Sequence, residues 1–289
     1  MLKIRFLRVL QDKKKLSGIL SDHRNQEQNI GFVPTMGALH DGHLSLVQRA
    51  LKENDLVVVS IFVNPTQFNN HKDLKKYPRT LDRDVETLES LKDDRVLIFA
   101  PAVDDIYGNA VTSEKFSFNG LEHAMEGKFR PGHFDGVATV VHRLFQIVKP
   151  RRAYFGKKDF QQLLIIKSLV KQLKLPVEVV GCEIKREADG LAMSSRNLRL
   201  SRKHREKAPL IYEILKESKV KFGTISAAKV TEWVEARFAK IAALELEYFI
   251  IAEANTLNPV KRKSKKKKYR AFIAAYAGDV RLIDNIALN

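Results

Sequence analysis

The chain has 289 residues, 44% of them hydrophobic, which is enough for one large domain or for a large and a small one. Its 51 basic and 34 acidic residues leave a formal charge of +17, which points toward nucleic acid, anionic lipid or a phosphorylated small substrate. One cysteine, Cys182, excludes an intrachain disulfide and a cysteine-based zinc site, and the longest apolar run, LVVVSIFV at residues 56–63, falls far short of the roughly 20 residues that span a bilayer.

At the N-terminus, Lys3, Arg5 and Arg8 interrupt the apolar residues and spoil a signal-peptide core, so a cytoplasmic location is expected. Beyond it, short apolar runs alternate with segments of helical period, the pattern of strands joined by crossover helices in a parallel sheet. Strands are expected at 30–33, 56–63, 95–100, 153–155 and 177–182. Between them, one helix carries Leu44, Val47 and Leu51 on a single face and another Leu81, Val85, Leu88 and Leu91. Two more are expected at 135–148 and 160–174. After Arg186 the texture changes to an irregular EADGLAMSSRNLRLS, helices around 203–219 and 227–241, and strands near 246–252 and 269–277. The expected fold class is α/β, with a parallel-sheet domain at 1–184 and a smaller α+β domain at 185–289.

The segment VPTMGALHDGH leads from the first of these strands into the first helix. Gly37 and Gly42 let the backbone approach a ligand, and Asp41 is the expected N-cap. His43 then falls in the first helical turn, where free N–H groups and the helix dipole favour phosphate, and His40 lies just outside it. Two imidazoles donating to phosphoryl oxygens gain most as charge builds in a transition state. The chain has no H-E-x-x-H and no nearby third metal ligand. His43-Leu44 stands where a P-loop needs Lys and Ser/Thr, and G-x-G-x-x-G is missing.

Three other segments add to the pair. SIFVNPTQF ends a buried strand with Asn64 and Gln67, FGKKDFQQL follows another strand with Gln161 and Gln162, and DGLAMSSRN offers two hydroxyls and an arginine in a flexible loop suited to a mobile phosphate clamp. Each alone is more often an ordinary turn or cap. The run KRKSKKKKYR, from Lys261 to Arg270, holds eight basic residues in ten and so concentrates much of the positive charge locally.

Together with YPRT, RPGHFDGVATVV and AGDVRLIDN, these motifs stand in the order and approximate spacing of the pantoate–β-alanine ligase (pantothenate synthetase) family, which the chain resembles from about Val33 to its C-terminus. The resemblance implies a Rossmann-like N-terminal domain of the cytidylyltransferase-like group that binds ATP and pantoate, a small C-terminal lid domain, a cytoplasmic homodimer, and use of ATP and Mg2+. It implies two steps: pantoate attacks the α-phosphorus of ATP to give pantoyl adenylate and pyrophosphate, and β-alanine then displaces AMP. By the same resemblance Met36, Gly37, Ala38, Leu39, His40, Asp41, Gly42 and His43 line the ATP site, with His43 as catalytic proton donor and His40 as phosphate partner. Gly156, Lys157, Lys158 and Asp159 hold the nucleotide, Lys158 on the phosphates and Asp159 near the ribose or the metal. Lys185 contacts adenine through its backbone, and Met193, Ser194, Ser195 and Arg196 close over the triphosphate. Gln67 and Gln162 orient pantoate, with Asn64 and Arg130 as further contributors.

Two departures from the family pattern stand out. Lys157 replaces an acidic or amide residue and adds positive charge near ATP, and Glu183, Ile184 and Lys185 replace Pro-Thr and an aliphatic residue. Competing readings are another nucleotidylyltransferase acting on a phosphorylated substrate, against which the uncharged Gln67 and Gln162 argue, and a nucleic-acid-binding module, which only the charge supports. A class I aminoacyl-tRNA synthetase would need a longer chain. No membrane association is expected, and nucleic acid only through non-specific contact by the basic run.

Overall fold

The computed structural model describes residues 7–69 and 71–289, so Lys3 and Arg5 lie outside the described residues. In chain order the first part holds β1 (Arg8–Leu10), α1 (Lys13–Asn25), β2 (Ile30–Thr35), α2 (Asp41–Glu53), β3 (Leu56–Ile61), α3 (His71–Lys76), α4 (Leu81–Glu89), β4 (Val96–Phe99), α5 (Val103–Tyr107), α6 (Met125–Phe129), α7 (His133–Val148), β5 (Arg152–Gly156), α8 (Phe160–Gln172) and β6 (Glu178–Cys182). The rest holds α9 (Arg202–Lys207), α10 (Leu210–Thr224), α11 (Ala227–Phe238), β7 (Glu245–Glu253), β8 (Tyr269–Ala277) and β9 (Val280–Ala287). The chain forms two compact units. One contains the residues up to Glu122, Gly127–Lys157 and Gln162–Glu183; the other contains His123–Glu126, Lys158–Gln161 and Ile184–Asn289.

In the first unit six strands form a sheet in the order β1-β4-β3-β2-β5-β6, with every pairing parallel. A parallel sheet is covered on both faces, which explains why β3 reads as an apolar run broken only by the buried Ser60. Alternate residues feed opposite layers: Leu56 and Val58 of β3 join Phe32, Leu97 and Phe99 in one core, while Val57 and Val59 join Val33, Val96 and Ile98 in the other. Helices α1, α7 and α8 close the first layer through Leu16, Leu20, Val137, Val141, Ile166 and Leu169. Helices α2 and α4 close the second through Val47, Ala50, Val85 and Leu88. The chain runs outward from β2 through β3 and β4 and returns to β5 on the other side of β2. The direction of winding therefore reverses beside β2, and ligands of open α/β sheets bind at the carboxyl ends of the strands flanking such a point.

The second unit is an antiparallel sheet, β7-β8-β9. Its core packs Ile211, Ile214 and Leu215 of α10 and Val230, Val234 and Phe238 of α11 with Phe249, Ile251, Ile273 and Leu282 of the strands. The expected helix at 203–219 is two helices, because Pro209 cannot donate to a continuous ladder and caps the second. Strand β9 has no counterpart among the sequence expectations, and neither do β1 and α1. Among the described residues no helix is long and apolar enough to cross a membrane.

Candidate active site

Strand β2 ends at Thr35, whose hydroxyl donates to the Ser60 carbonyl at 2.7 Å and accepts from the Gly37 N–H at 3.3 Å, tying the outgoing loop to β3. Gly37 (φ 80°) and Ala38 (φ 50°) are both left-handed, a conformation that costs a residue with a Cβ about 1 kcal/mol. Asp84 of α4 holds this turn. It is 1% exposed, and its carboxylate accepts the backbone N–H groups of Leu39 at 2.7 Å and Ala38 at 3.1 Å, with the Thr80 hydroxyl at 3.3 Å. A Cβ on Gly37 would stand 3.0 Å from Asp84 Oδ2, so glycine here admits the carboxylate. Burial pushes the Asp84 carboxyl above its ordinary range, against the opposing pull of the same hydrogen bonds.

The helix behind the loop begins differently from expectation. Its N-cap is His40, and Asp41 is the first helical residue. The imidazole does what a capping carboxylate would do: His40 Nδ1 accepts the Gly42 N–H at 3.1 Å, and His43 Nδ1 reaches back to the His40 N–H at 3.3 Å. The ring centroids lie 4.1 Å apart at 36°. An Nδ1 that accepts from an amide carries no hydrogen, so each neutral ring keeps its hydrogen on Nε2. Both imidazoles are thereby set as Nε2 donors at the positive end of α2, an arrangement suited to anionic oxygens.

Strand β3 leads to a second cluster. Pro65–Gln67 form a 3-10 turn, and Asn64, 1% exposed, is its hub. Asn64 Nδ2 donates to Gln67 Oε1 and to the Gly136 carbonyl, each at 3.1 Å. Its Oδ1 accepts from the Tyr107 hydroxyl at 2.5 Å and from Thr66 at 3.2 Å. The Gln67 amide donates to Met36 Sδ at 3.0 Å, which joins this cluster to the β2 loop. The Gln67 carbonyl accepts from His133 Nδ1 at 2.8 Å and from Arg130 at 3.3 Å. Gly136 of α7 is required by packing, since a Cβ there would lie 2.4 Å from the Thr66 carbonyl oxygen. Arg130 thus touches the backbone of Gln67, and Asn64 orients its amide. Gln162 is half-buried on α8 of the same unit.

Lys157 follows β5 directly, and its ammonium donates to the Glu183 carboxylate. The two departures from the family pattern are therefore partners, and the added positive charge is offset by the added negative one. Neighbouring Gln161 is a structural residue: its amide bonds the Ala124 carbonyl at 2.7 Å and the Glu126 N–H at 3.1 Å.

In the second unit, Lys158 Nζ lies 3.5 Å from the carboxylate of the exposed Asp159. The segment read as a flexible loop carries bonds of its own. Arg186 and Ala192 bridge, Met193 N–H donates to the Lys185 carbonyl at 3.1 Å, and Asn197 donates to the Ala192 carbonyl at 3.0 Å. Ser194 caps the following 3-10 helix by accepting the Arg196 N–H at 3.3 Å, and Ser195 is buried. Among the described residues no group of three or more His, Cys, Asp or Glu side chains could hold a metal ion.

Residues that sequence reasoning passed over are Asp84, Tyr107 and His133. Asp84 left a legible trace: it falls on the buried face of α4, in register with Leu88, where an acid needs a partner.

The profile of the family described as Pantoate-beta-alanine ligase matches residues 8–287. A pantothenate synthetase of Christiangramia forsetii is 53% identical over 98% of this chain and 100% of its own length, and one of Flavobacterium psychrophilum is 54% identical over 97% and 99%. Among solved structures, the pantothenate synthetase of Thermus thermophilus superposes with a TM-score of 0.89 at 41% identity, covering 98% of this chain and 99% of that one. The pantoate-beta-alanine ligase of Francisella tularensis, complexed with beta-gamma ATP and beta-alanine, has a TM-score of 0.80 at 39% identity and covers 98% of both chains.

Proposed function

The chain belongs to the pantoate–β-alanine ligase family, and from that premise we propose that it joins pantoate to β-alanine in two steps through pantoyl adenylate, releasing pyrophosphate and then AMP. The observation that carries this reading is the locked imidazole pair: His40 and His43, each with Nδ1 engaged by a backbone amide, present Nε2 donors at the head of α2. In the first step a pantoate carboxylate oxygen bonds to the α-phosphorus as the bond to the β-phosphate bridging oxygen breaks. The carboxylate is ionised at neutral pH, so this step needs in-line placement and charge stabilisation and no strong base. In the second the β-alanine amine bonds to the acyl carbon, AMP leaves and a proton is released.

We assign His43 as the proton donor to phosphoryl oxygen and His40, Lys158 and Arg196 as phosphate partners, whose donors strengthen as negative charge grows in the transition state. Gln67 and Gln162 orient pantoate; Asn64 and Arg130 hold Gln67 in place. The stretch from Met36 to Gly42, with Gly156, Lys157, Lys185 and Met193 to Ser195, completes the nucleotide site. ATP as substrate is supported by the beta-gamma ATP bound to the Francisella tularensis relative. Asp159 offers one exposed carboxylate, a donor set that fits Mg2+ arriving with the nucleotide and drawing its other ligands from phosphate and water. Bound so, the ion would neutralise phosphate charge. A cytoplasmic homodimer belongs to the same proposal.

ATP–pyrophosphate exchange tests the scheme. Exchange is expected with pantoate alone, without β-alanine, whereas exchange that appears only once β-alanine is added would overturn the adenylate route.

A further inference from the structure

Two adjacent residues of β9, Asp284 and Asn285, are both buried, at 5% and 2% exposure, although successive strand residues point to opposite faces. Buried polar neighbours at such a position require partners, and each has one on its own side. Asp284 faces the layer that holds α10. There its carboxylate takes both ends of the Arg186 guanidinium, at 2.6 and 3.0 Å. Arg186 lies 3.5 Å over the ring of Tyr212 and donates to the Gly190 carbonyl at 3.1 Å. This clamps the turn that delivers Ser194 to Arg196. Gly190 (φ 94°) is part of the fit, since a Cβ there would stand 2.9 Å from the Tyr212 ring.

Asn285 faces the other side of the sheet. Its Nδ2 donates to the Lys158 carbonyl at 2.8 Å, and its Oδ1 accepts from Arg270 at 2.5 Å. Arg270 in turn lies 4.2 Å over the ring of Phe160, which meets Phe272 at 5.9 Å. The peptide that carries Lys158 is thus held against the second face. The two residues are also joined to each other, the Asn285 N–H donating to Asp284 Oδ1 at 2.7 Å.

We infer that Asp284 and Asn285 are positioning residues for the adenylation step, a single point on β9 from which two segments far apart in sequence, around Lys158 and around Arg196, are set together. The inference rests on the assignment of Lys158 and Arg196 to the ATP phosphates. Neither Asp284 nor Asn285 needs to touch substrate. Each acts through the backbone or side chain it holds, and an error of about 1 Å in such a placement costs on the order of a hundredfold in rate.

The test is the variant Asn285→Asp, which keeps the shape and the acceptor for Arg270, replaces the donor to the Lys158 carbonyl by an oxygen and adds a negative charge. Lys158→Ala is measured beside it. Steady-state constants for ATP and for pantoate are determined separately, with the melting temperature of each variant. Asn285→Asp is expected to lower kcat/KM for ATP about tenfold or more while the pantoate KM stays within about twofold. Asn285→Ala, which removes the donor without adding a charge, should show the same ATP-selective loss; a loss confined to Asn285→Asp would be the effect of the added charge and overturns the inference. A merely structural role would instead shift the melting point and scale all constants by one factor, and that outcome overturns the inference. Unchanged ATP constants in Asn285→Asp overturn it too, provided Lys158→Ala is impaired. If Lys158→Ala is itself unimpaired, the phosphate assignment fails, and the positioning role falls with it. Asp284→Asn supplies the second arm: loss of ATP use with retained pantoate KM supports the clamp on the 186–192 turn, and equal losses for both substrates count against it.

Discussion

Asp84 illustrates how a residue can matter to a site through the backbone. It holds a left-handed Gly37-Ala38 pair, and its replacement by Asn would leave one oxygen to satisfy two amides. Asp84→Asn is expected to lose about 1–3 kcal/mol, the usual penalty of a buried donor left without its acceptor, as read by denaturant unfolding. The pH dependence follows from the direction of its shift. Burial raises the folded carboxyl above its ordinary 3.8, so in the window between the two values the folded chain holds a proton that the unfolded chain has released. The stability contributed by this titration is full below 3.8 and is lost as the pH rises through the folded value. The stability gap between parent and Asp84→Asn should therefore narrow as the pH is raised across that window, and a gap that widens would mean a depressed carboxyl. Gln67 and Gln162 make a different contrast. Alanine at either should damage pantoate use and leave ATP affinity, measured calorimetrically without pantoate, nearly unchanged; equal losses for both ligands would move these amides out of the acid site.

At the scale of elements, the connection between β7 and β8 carries the basic run. It is anchored: Lys263 donates to the carbonyls of Phe222 and Ile225 at the end of α10, where cations are favoured, and Lys267 pairs with Glu253 at 2.7 Å. Ser264 N–H donates to the Tyr269 hydroxyl at 2.8 Å. Lys261, Arg262, Lys265, Lys266 and Lys268 are exposed, and in solvent their mutual repulsion is screened over about 8 Å at physiological ionic strength. Replacing Lys261, Arg262, Lys265, Lys266 and Lys268 by neutral polar residues, with Lys263, Lys267 and Arg270 kept, should leave ligation within a few-fold of the parent. Salt-sensitive retention on a polyanion column should largely disappear. A specific loss of adenylation in a folded variant would assign the run to the ATP phosphates instead.

At the scale of the whole molecule, each unit closes a core of its own, and the second contains a largely half-buried charge network around the buried Glu126. Arg281 of β9 bonds Glu126 at 2.8 Å on both nitrogens and also Glu247, and Tyr248 donates to Glu126 at 2.7 Å. Burial opposes the charge of Arg281, but the two carboxylates outweigh it and raise the guanidinium above its usual value. Glu126 comes from a four-residue stretch 155 positions away in sequence, so the network is a tertiary device for holding that stretch in the second unit. Arg281→Met should cost about 3 kcal/mol, because it strands the buried Glu126 carboxylate and the half-buried Glu247 carboxylate. Urea unfolding would read this, and a loss under about 1 kcal/mol would show that the carboxylates find water or protonate.

Periodicity was sufficient for the central strands of the parallel sheet, because β2, β3 and β4 are buried on both faces and admit almost no polar residue, whereas the three-residue edge strand β1 was not legible. The same holds for the helices whose apolar stripes pack on them. By contrast α1 buries only Leu16 and Leu20 beneath a lysine-rich surface, which weakens its helical signal. Strand β9 was illegible because Arg281, Asp284 and Asn285 break its apolar alternation; Arg281 is half-buried and the other two are buried, each by partners that no local pattern names. His40, His43, Asn64, Gln67 and the segments around Lys158 and Arg196 could be picked out one by one, since glycines, strand ends and paired polar residues mark them within a few positions. Tertiary structure alone decided that His40 caps α2, that Asp84 pins the left-handed turn, that Lys157 meets Glu183, and that Asp284 and Asn285 hold two distant segments from one strand. Local patterns report burial along a single element, whereas hydrogen bonds between buried polar groups are set by which elements the fold brings within about 3 Å of each other.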